Sequence, residues 1–160
     1  MKRAEQLLID LLKENGLTIA FAESVSCGLL THKTGTVSDT SQVLKGSIIS
    51  YTPEIKTAVL KVSKKLIAEK TCESQEVTDV MALGLSRIIP ADICAAITGL
   101  AAPGGSETND KPVGTVFYSF RFKRKTYRLR RRFRGSPLEI KEKACKEFFR
   151  FIKKEVQKQL

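Results

Sequence analysis

Three short apolar runs, set between helical stripes, constrain this chain more than any other feature. Residues 17–22 (LTIAFA), 46–51 (GSIISY) and 92–98 (DICAAIT) are near-continuous in apolar or small residues, as strands covered on both faces would be. Residues 2–14 place Leu7, Leu8, Leu11 and Leu12 on one helical stripe that Asn15-Gly16 stops. Further helices are expected from Leu29 to about Thr36 and from Pro53 to about Leu60, with a short one after the cap Ser63. Ser74 caps a longer helix with Val77, Val80, Met81, Leu85 and Ile88 inside, which ends before Pro90. Residues 113–122 and 125–134 read as an antiparallel hairpin with a tight basic turn. Pro137 opens a last helix with the stripe Ile140, Ala144, Phe148, Phe151, Ile152 and Val156. Helices alternating with strands, then a late hairpin, predict an α/β layered sandwich with a mixed central sheet flanked by helices, one domain over residues 1–160.

Several function classes drop out on composition. No apolar run approaches the roughly 18 residues needed to span a bilayer. The N-terminus carries acids within its apolar stretch and lacks a small-residue cleavage site, so it reads as an amphipathic helix and a cytoplasmic location is expected. Cys27, Cys72, Cys94 and Cys145 include no C-x-x-C pair, and one histidine, His32, could join them, which argues against zinc and against a disulfide framework. Cys94 and Cys145 are expected as small buried residues. The net charge of +11 is local. Residues 1–120 carry 12 Lys/Arg and 13 Asp/Glu, whereas residues 121–160 carry 16 and 4. That is one basic surface on an otherwise neutral protein.

In a layered α/β fold, ligands gather at the carboxyl ends of the strands. Three segments should meet there. The first holds Ser24 and Ser26 at a strand-to-helix turn, where free backbone N–H groups can cradle an oxyanion or a phosphate. A plain alternative is that Ser24 or Ser26 caps the helix. The second holds Tyr51 at a strand end and Lys56 about one turn into the next helix. A serine hydroxyl needs a base, and a lysine serves if its pKa drops well below the usual value of about 10.4, through burial or a second cation. A tyrosine between serine and lysine would relay the proton. His32 lacks an evident acid partner, and a Cys27 nucleophile paired with His32 is a further option. The third segment, residues 99–112 (GLAAPGGSETNDKP), is a long loop with Pro103-Gly104-Gly105, where backbone can approach a ligand closely. No G-x-G-x-x-G, P-loop or S-x-x-K signature occurs.

Together these segments resemble the C-terminal domain of the CinA (competence/damage-inducible) family. The family's A-E-S-C-T-G-G reads Ala22-Glu23-Ser24-Val25-Ser26-Cys27-Gly28 here, and its Y-[ST]-x-x-x-K reads Tyr51-Thr52-Pro53-Glu54-Ile55-Lys56. Its [ST]-G-[IL]-A-G-P-x-G reads Thr98-Gly99-Leu100-Ala101-Ala102-Pro103-Gly104-Gly105, followed by Lys111-Pro112-Val113-Gly114-Thr115-Val116. Val25-Ser26 stand where the family has Cys-Thr, Cys27 where it has a glycine, and Ala102 where it has another. Pro137 and Lys141 stand where the family tends to carry two arginines before its last helix.

The resemblance implies an amidohydrolase of nicotinamide nucleotides, which removes ammonia from nicotinamide mononucleotide to give nicotinic acid mononucleotide, with no metal and no cofactor. Ser24, Tyr51 and Lys56 take the catalytic places. Val25, Ser26, Cys27, Gly28, Gly46, Thr98, Gly99, Pro103, Gly104 and Gly105 take the substrate-binding ones. A small-molecule nucleotide substrate and a homo-oligomer, with a dimer favoured, follow from the same resemblance. Two other readings stay open. One is a weakly active or non-catalytic ligand-binding domain of the same fold. The other is nucleic-acid binding through Arg128, Arg130, Arg132 and Arg134, which alternate on one side of a strand and more often form the solvated face of an edge strand.

Overall fold

A computed structural model of the chain describes residues Met1–Leu160. Five strands form one mixed sheet in the order β2-β1-β3-β4-β5. They are β1 (Ile19–Glu23), β2 (Leu44–Ile49), β3 (Ile93–Gly99), β4 (Thr115–Phe122) and β5 (Lys125–Arg132). The first three are mutually parallel, and β4 and β5 join antiparallel. The helices are α1 (Ala4–Glu14), α2 (Leu29–Gly35), α3 (Thr40–Val43), α4 (Pro53–Ala58), α5 (Lys64–Lys70), α6 (Gln75–Ser86) and α7 (Pro137–Gln157). No helix is long and apolar enough to cross a membrane.

The continuous apolar runs have the expected cause: β1 and β3 are covered on both faces, and the two faces differ in size. Ile19, Phe21, Ile93 and Ile97 join Tyr118, Phe120 and Phe148 in a bulky core with α1, α2 and α7. Ala20, Ala22, Cys94 and Ala96 point the other way, so α6 lies close on the sheet through Val77, Met81, Ala82 and Leu85. The final helix buries Ile140, Ala144, Phe148, Ile152 and Val156, with Phe151 half-buried edge-on against Phe120 at 5.4 Å. Tyr118, fully buried, donates its hydroxyl to Ala144 O at 3.1 Å. A capping box built by Ser136 and Glu139 starts that helix.

Several boundaries differ from the sequence reading. The strand β1 begins two residues later and ends one residue later, at Glu23, and β2 ends at Ile49, leaving Tyr51 beyond it. A one-turn helix, α3, stands at the end of the Thr-, Ser- and Gly-rich stretch 34–41, which reads as a loop in the sequence. On α1 the buried stripe is Leu8, Ile9 and Leu12, while Leu7 is exposed. Ile88, expected inside, lies past the end of α6 and is exposed. The hairpin turn puts Lys123 and Arg124 at φ 49° and 63°, the left-handed pair that matches strand twist in a two-residue turn. Cys94 and Cys145 are buried as expected.

The close fit of α6 gives a test in which the usual sign reverses. An alanine normally improves a helix interior over glycine by about 1 kcal/mol. At Gly84 its Cβ would stand 2.1 Å from Leu60 O, a rigid backbone atom. Gly84→Ala is therefore expected to destabilise, by about 1–3 kcal/mol in urea unfolding. A gain in stability would contradict the packing described.

Candidate active site

The parallel trio ends together, because Glu23 of β1 pairs with Ile49 of β2 and with Ile97 of β3. Ser24 follows β1 directly, and its N–H donates to Ile97 O at 3.1 Å. Ser50 follows β2 and its N–H donates to Glu23 O at 2.8 Å. From there Thr52 caps α4 and Pro53 opens it. Lys56, on the inner side of that helix, is only 1% exposed.

Lys56 Nζ has three neighbours: Ser24 Oγ at 2.9 Å, Ser50 O at 2.6 Å and Tyr51 O at 3.3 Å. No carboxylate is among them. Two carbonyls can only accept, so they take two N–H groups. A neutral amine then has one lone pair left, and the remaining neighbour is the Ser24 hydroxyl, able to donate to it. Burial lowers the Lys56 pKa and outweighs the opposing pull of Cys72 and Glu73. The arrangement suits deprotonation of Ser24 by Lys56.

The turn after Ser24 is shaped by Glu23, which the sequence reading passed over. Its carboxylate is fully buried and accepts from Ser26 Oγ at 2.6 Å, Gly28 N at 2.9 Å, Leu30 N at 3.1 Å, Thr31 N at 2.8 Å and also from Thr31 Oγ1. This carboxylate occupies the α2 N-terminus, so that end is not open for a substrate phosphate. Neither serine caps the helix, whose N-cap is Gly28 with φ 93°. Cys27, exposed, takes φ 47°, so a non-glycine residue holds the left-handed position here. The N–H groups of Val25 and Ser26 have no acceptor within the chain. They flank Ser24 and are free to donate to an anionic oxygen of a ligand.

A cleft of about 310 Å³ opens over Ser24, within the size range of ligand pockets. Its walls include Val25, Tyr51, Glu73, Gly99, Pro103, Gly104, Gly105, Pro137 and Lys141. Gly99 lets β4 approach, since a Cβ there would lie 2.7 Å from Thr115 O. Gly104 and Gly105 donate their N–H groups to the Glu107 carboxylate at 2.7 and 2.8 Å. In the K-P-V-G-T-V stretch, Lys111 Nζ donates to Thr71 Oγ1, Glu73 O and Ser106 Oγ, tying the loop to the segment before α6. Gly114, at φ 94°, fits where a Cβ would stand 1.9 Å from Phe133 O. A larger cavity of about 490 Å³ lies between α1 and α7, lined mostly by lysine and arginine with Glu5 and Glu142. It holds no nucleophile beside a base.

Some expected site residues stand elsewhere. Gly46 pairs with Ala20, well before the strand ends, and faces Ile89, so it is not part of the cleft. Thr98 is buried with its hydroxyl 2.8 Å from that of Thr78, because alternation turns it toward α6. The Tyr51 residue is 62% exposed and offers Lys56 its carbonyl, so the phenol does not stand between Ser24 and Lys56. His32 is exposed and makes no side-chain hydrogen bond to Cys27 or Ser24. In the basic hairpin, Arg128 pairs with Asp79 at 2.6 Å, Arg131 with Glu147 at 3.1 Å, and Arg130 binds Asp110 O and lies over Phe117. Two of the four stripe arginines, Arg128 and Arg130, are thus engaged in holding the fold, and Arg131 belongs to the opposite face. Pro137 and Lys141, the positions where the family tends to carry arginines, line the cleft, and Glu73 joins them although its sequence neighbourhood carries no site signal.

The Glu23 hub should be costly to break. Glu23→Gln faces buried N–H donors with an amide that is itself half donor, and a loss of about 2–4 kcal/mol of unfolding free energy is expected. Chemical denaturation checks this, and a change under about 0.5 kcal/mol would show that the carboxylate is not the organiser of the turn.

Comparison with known proteins matches this geometry to one family. The CinA C-terminal domain profile matches residues 1–156. A CinA-like protein of Petrotoga mobilis is 38% identical over 144 residues, covering 89% of this chain and 35% of its own. Another, from Thermotoga neapolitana, is 38% identical over 116 residues, covering 72% of this chain and 28% of its own. The chain therefore spans about a third of the length of these relatives. Among solved structures, a competence-damaged protein (CinA) superfamily protein from Escherichia coli superposes with TM-score 0.86 at 26% identity, covering 94% of this chain and 86% of that one. The competence damage-inducible protein A of Klebsiella pneumoniae shares the fold with TM-score 0.90 at 24% identity, over 98% of both chains. The chain belongs to the CinA C-terminal domain family.

Proposed function

We propose that this domain hydrolyses the carboxamide of nicotinamide mononucleotide to nicotinic acid mononucleotide and ammonia, with Ser24 as nucleophile and Lys56 as general base. The observation that carries the reading is the 2.9 Å approach of a buried lysine amine to a serine hydroxyl at the floor of a cleft. The substrate comes from the resemblance of the three site segments to nicotinamide-nucleotide amidohydrolases of the family.

The chemistry runs in two halves. Neutral Lys56 takes the Ser24 proton as Oγ attacks the amide carbon, and the N–H groups of Val25 and Ser26 receive the developing oxyanion. Lys56, now an ammonium, returns the proton to the amide nitrogen, the C–N bond breaks and ammonia leaves. Lys56 next takes a proton from water, whose oxygen attacks the acyl ester, and returns it to Ser24 Oγ as the ester bond breaks and frees the acid. The two carbonyls of Ser50 and Tyr51 hold the lysine in place in both protonation states. Tyr51 lines the mouth of the cleft, where its ring can bear on substrate without moving the proton.

Ser24→Ala and Lys56→Ala should each cut ammonia release from nicotinamide mononucleotide by roughly 10²-fold or more. Lys56→Arg should not rescue it, because a guanidinium does not deprotonate in proteins. Tyr51→Phe should fall well short of the roughly 10²-fold loss that removing a proton relay would bring. A coupled ammonia assay measures all four. Absence of turnover by the intact protein, or full activity without Ser24, would remove this reading.

A further inference from the structure

We infer that Glu73 is a specificity residue that selects a positively charged ring, an N-substituted pyridinium carboxamide, for the Ser24 cleft. This rests on the nucleotide-amidase reading of the same site and goes beyond it by naming what the cleft reads on the substrate.

Glu73 lines the cleft together with Ser24 and the glycine loop. It is half-buried and forms no ion pair within the chain. One carboxylate oxygen, Oε2, accepts from Ser106 Oγ at 2.5 Å. The other, Oε1, has no partner in the molecule. The base position beside Ser24 is already filled by Lys56, so a second base is not what the site lacks.

The chain goes to some length to hold this group. Lys111 Nζ donates to the Glu73 backbone carbonyl at 2.9 Å, to Ser106 Oγ at 2.9 Å and to Thr71 Oγ1 at 2.6 Å. Thr71, a β-branched residue, sits at φ 67° and ψ 164°, a region such residues avoid. Strain of this kind collects where a ligand group must be aimed. Lys111 Nζ holds the clasp through backbone and hydroxyl oxygens and forms no ion pair with the carboxylate, although its charge lies close enough to act on Glu73.

A half-buried anion with one oxygen left free by the chain attracts a cation more strongly than it would in bulk water. The amide-bearing ring of an N-ribosylated nicotinamide carries one positive charge. Lys141, on the same cleft wall set, supplies the opposite sign for an anionic group of the substrate. A substrate with a cationic ring and an anionic tail is therefore matched at both ends.

The oxidised and reduced forms of nicotinamide mononucleotide test this directly, because the dihydropyridine ring has nearly the same shape and no charge. Binding is measured by calorimetry with Ser24→Ala protein, which cannot form the acyl-enzyme. The oxidised form should bind more tightly than the reduced form, and adding Glu73→Gln should narrow the ratio by about tenfold. The glutamine keeps an oxygen for Ser106, so the clasp survives. Ser106→Ala loosens the clasp yet keeps the charge, and should weaken both forms alike. Equal binding of the two forms, binding of neither, or a ratio untouched by Glu73→Gln would overturn the inference. Ammonia release by the intact protein reports separately on the amidase reading, and a cationic-ring preference without turnover would remove that reading alone.

Discussion

The structure depends on one buried contact, in which the Lys56 amine meets a hydroxyl and two carbonyls and no acid. An ammonium there would be short of anionic compensation, so burial works against the charged form. The three oxygen partners could satisfy the N–H groups of an ammonium, but burial without a carboxylate favours the neutral amine, to which the Ser24 hydroxyl can donate. The fold brings these partners together through the register of β1 and β2. Glu23 O ties Ser50 to the end of β1, α4 turns back at once, and Lys56 reaches under Ser24 from a helix whose own cap, Thr52, lies beside the site. The serine is on the cleft floor and the lysine behind it, so a ligand in the cleft meets the hydroxyl while the amine stays shielded from water.

A second buried charge complements the first. Glu23 takes the N–H groups at the start of α2, and in doing so it fixes the turn that leaves Val25 N–H and Ser26 N–H without acceptors. The usual anion site at a helix N-terminus is thus filled from within the chain. Any substrate anion must then be held elsewhere, and Lys141 is the cation on the cleft wall. Charge on the cleft wall is divided between Lys141 and Glu73, which favours a dipolar ligand over a simple polyanion.

Much of the layered fold was legible because strands covered on both faces read as continuous apolar runs, and because α7 carries a long unbroken stripe. Ser24 and Lys56 were legible as residue types at the ends of two such runs. The facing of individual side chains was not. A strand exposes alternate residues to opposite layers, so an error of one position moves a group across the sheet. Thr98 went to α6 for that reason, and Gly46 fell well before the strand ends. Tyr51 lies past the end of β2, where its carbonyl and not its ring turns inward. Glu23 gave no signal because most of its partners are backbone N–H groups five to eight residues later, which no side-chain pattern announces. Glu73 is likewise placed by Lys111, 38 residues away.

The protonation of Lys56 tests the central claim most directly. Its side-chain ¹³Cε signal, assigned by its loss in Lys56→Met and followed by NMR as pH is raised, gives the titration midpoint in the folded protein. A midpoint clearly below the ordinary 10.5 is expected, from burial against carbonyls alone. Between that midpoint and 10.5 the unfolded chain binds more protons at this site, so the same titration should raise stability with increasing pH. A midpoint at or above 10.5 would mean that Lys56 rests as an ammonium, and would contradict its assignment as the base for Ser24.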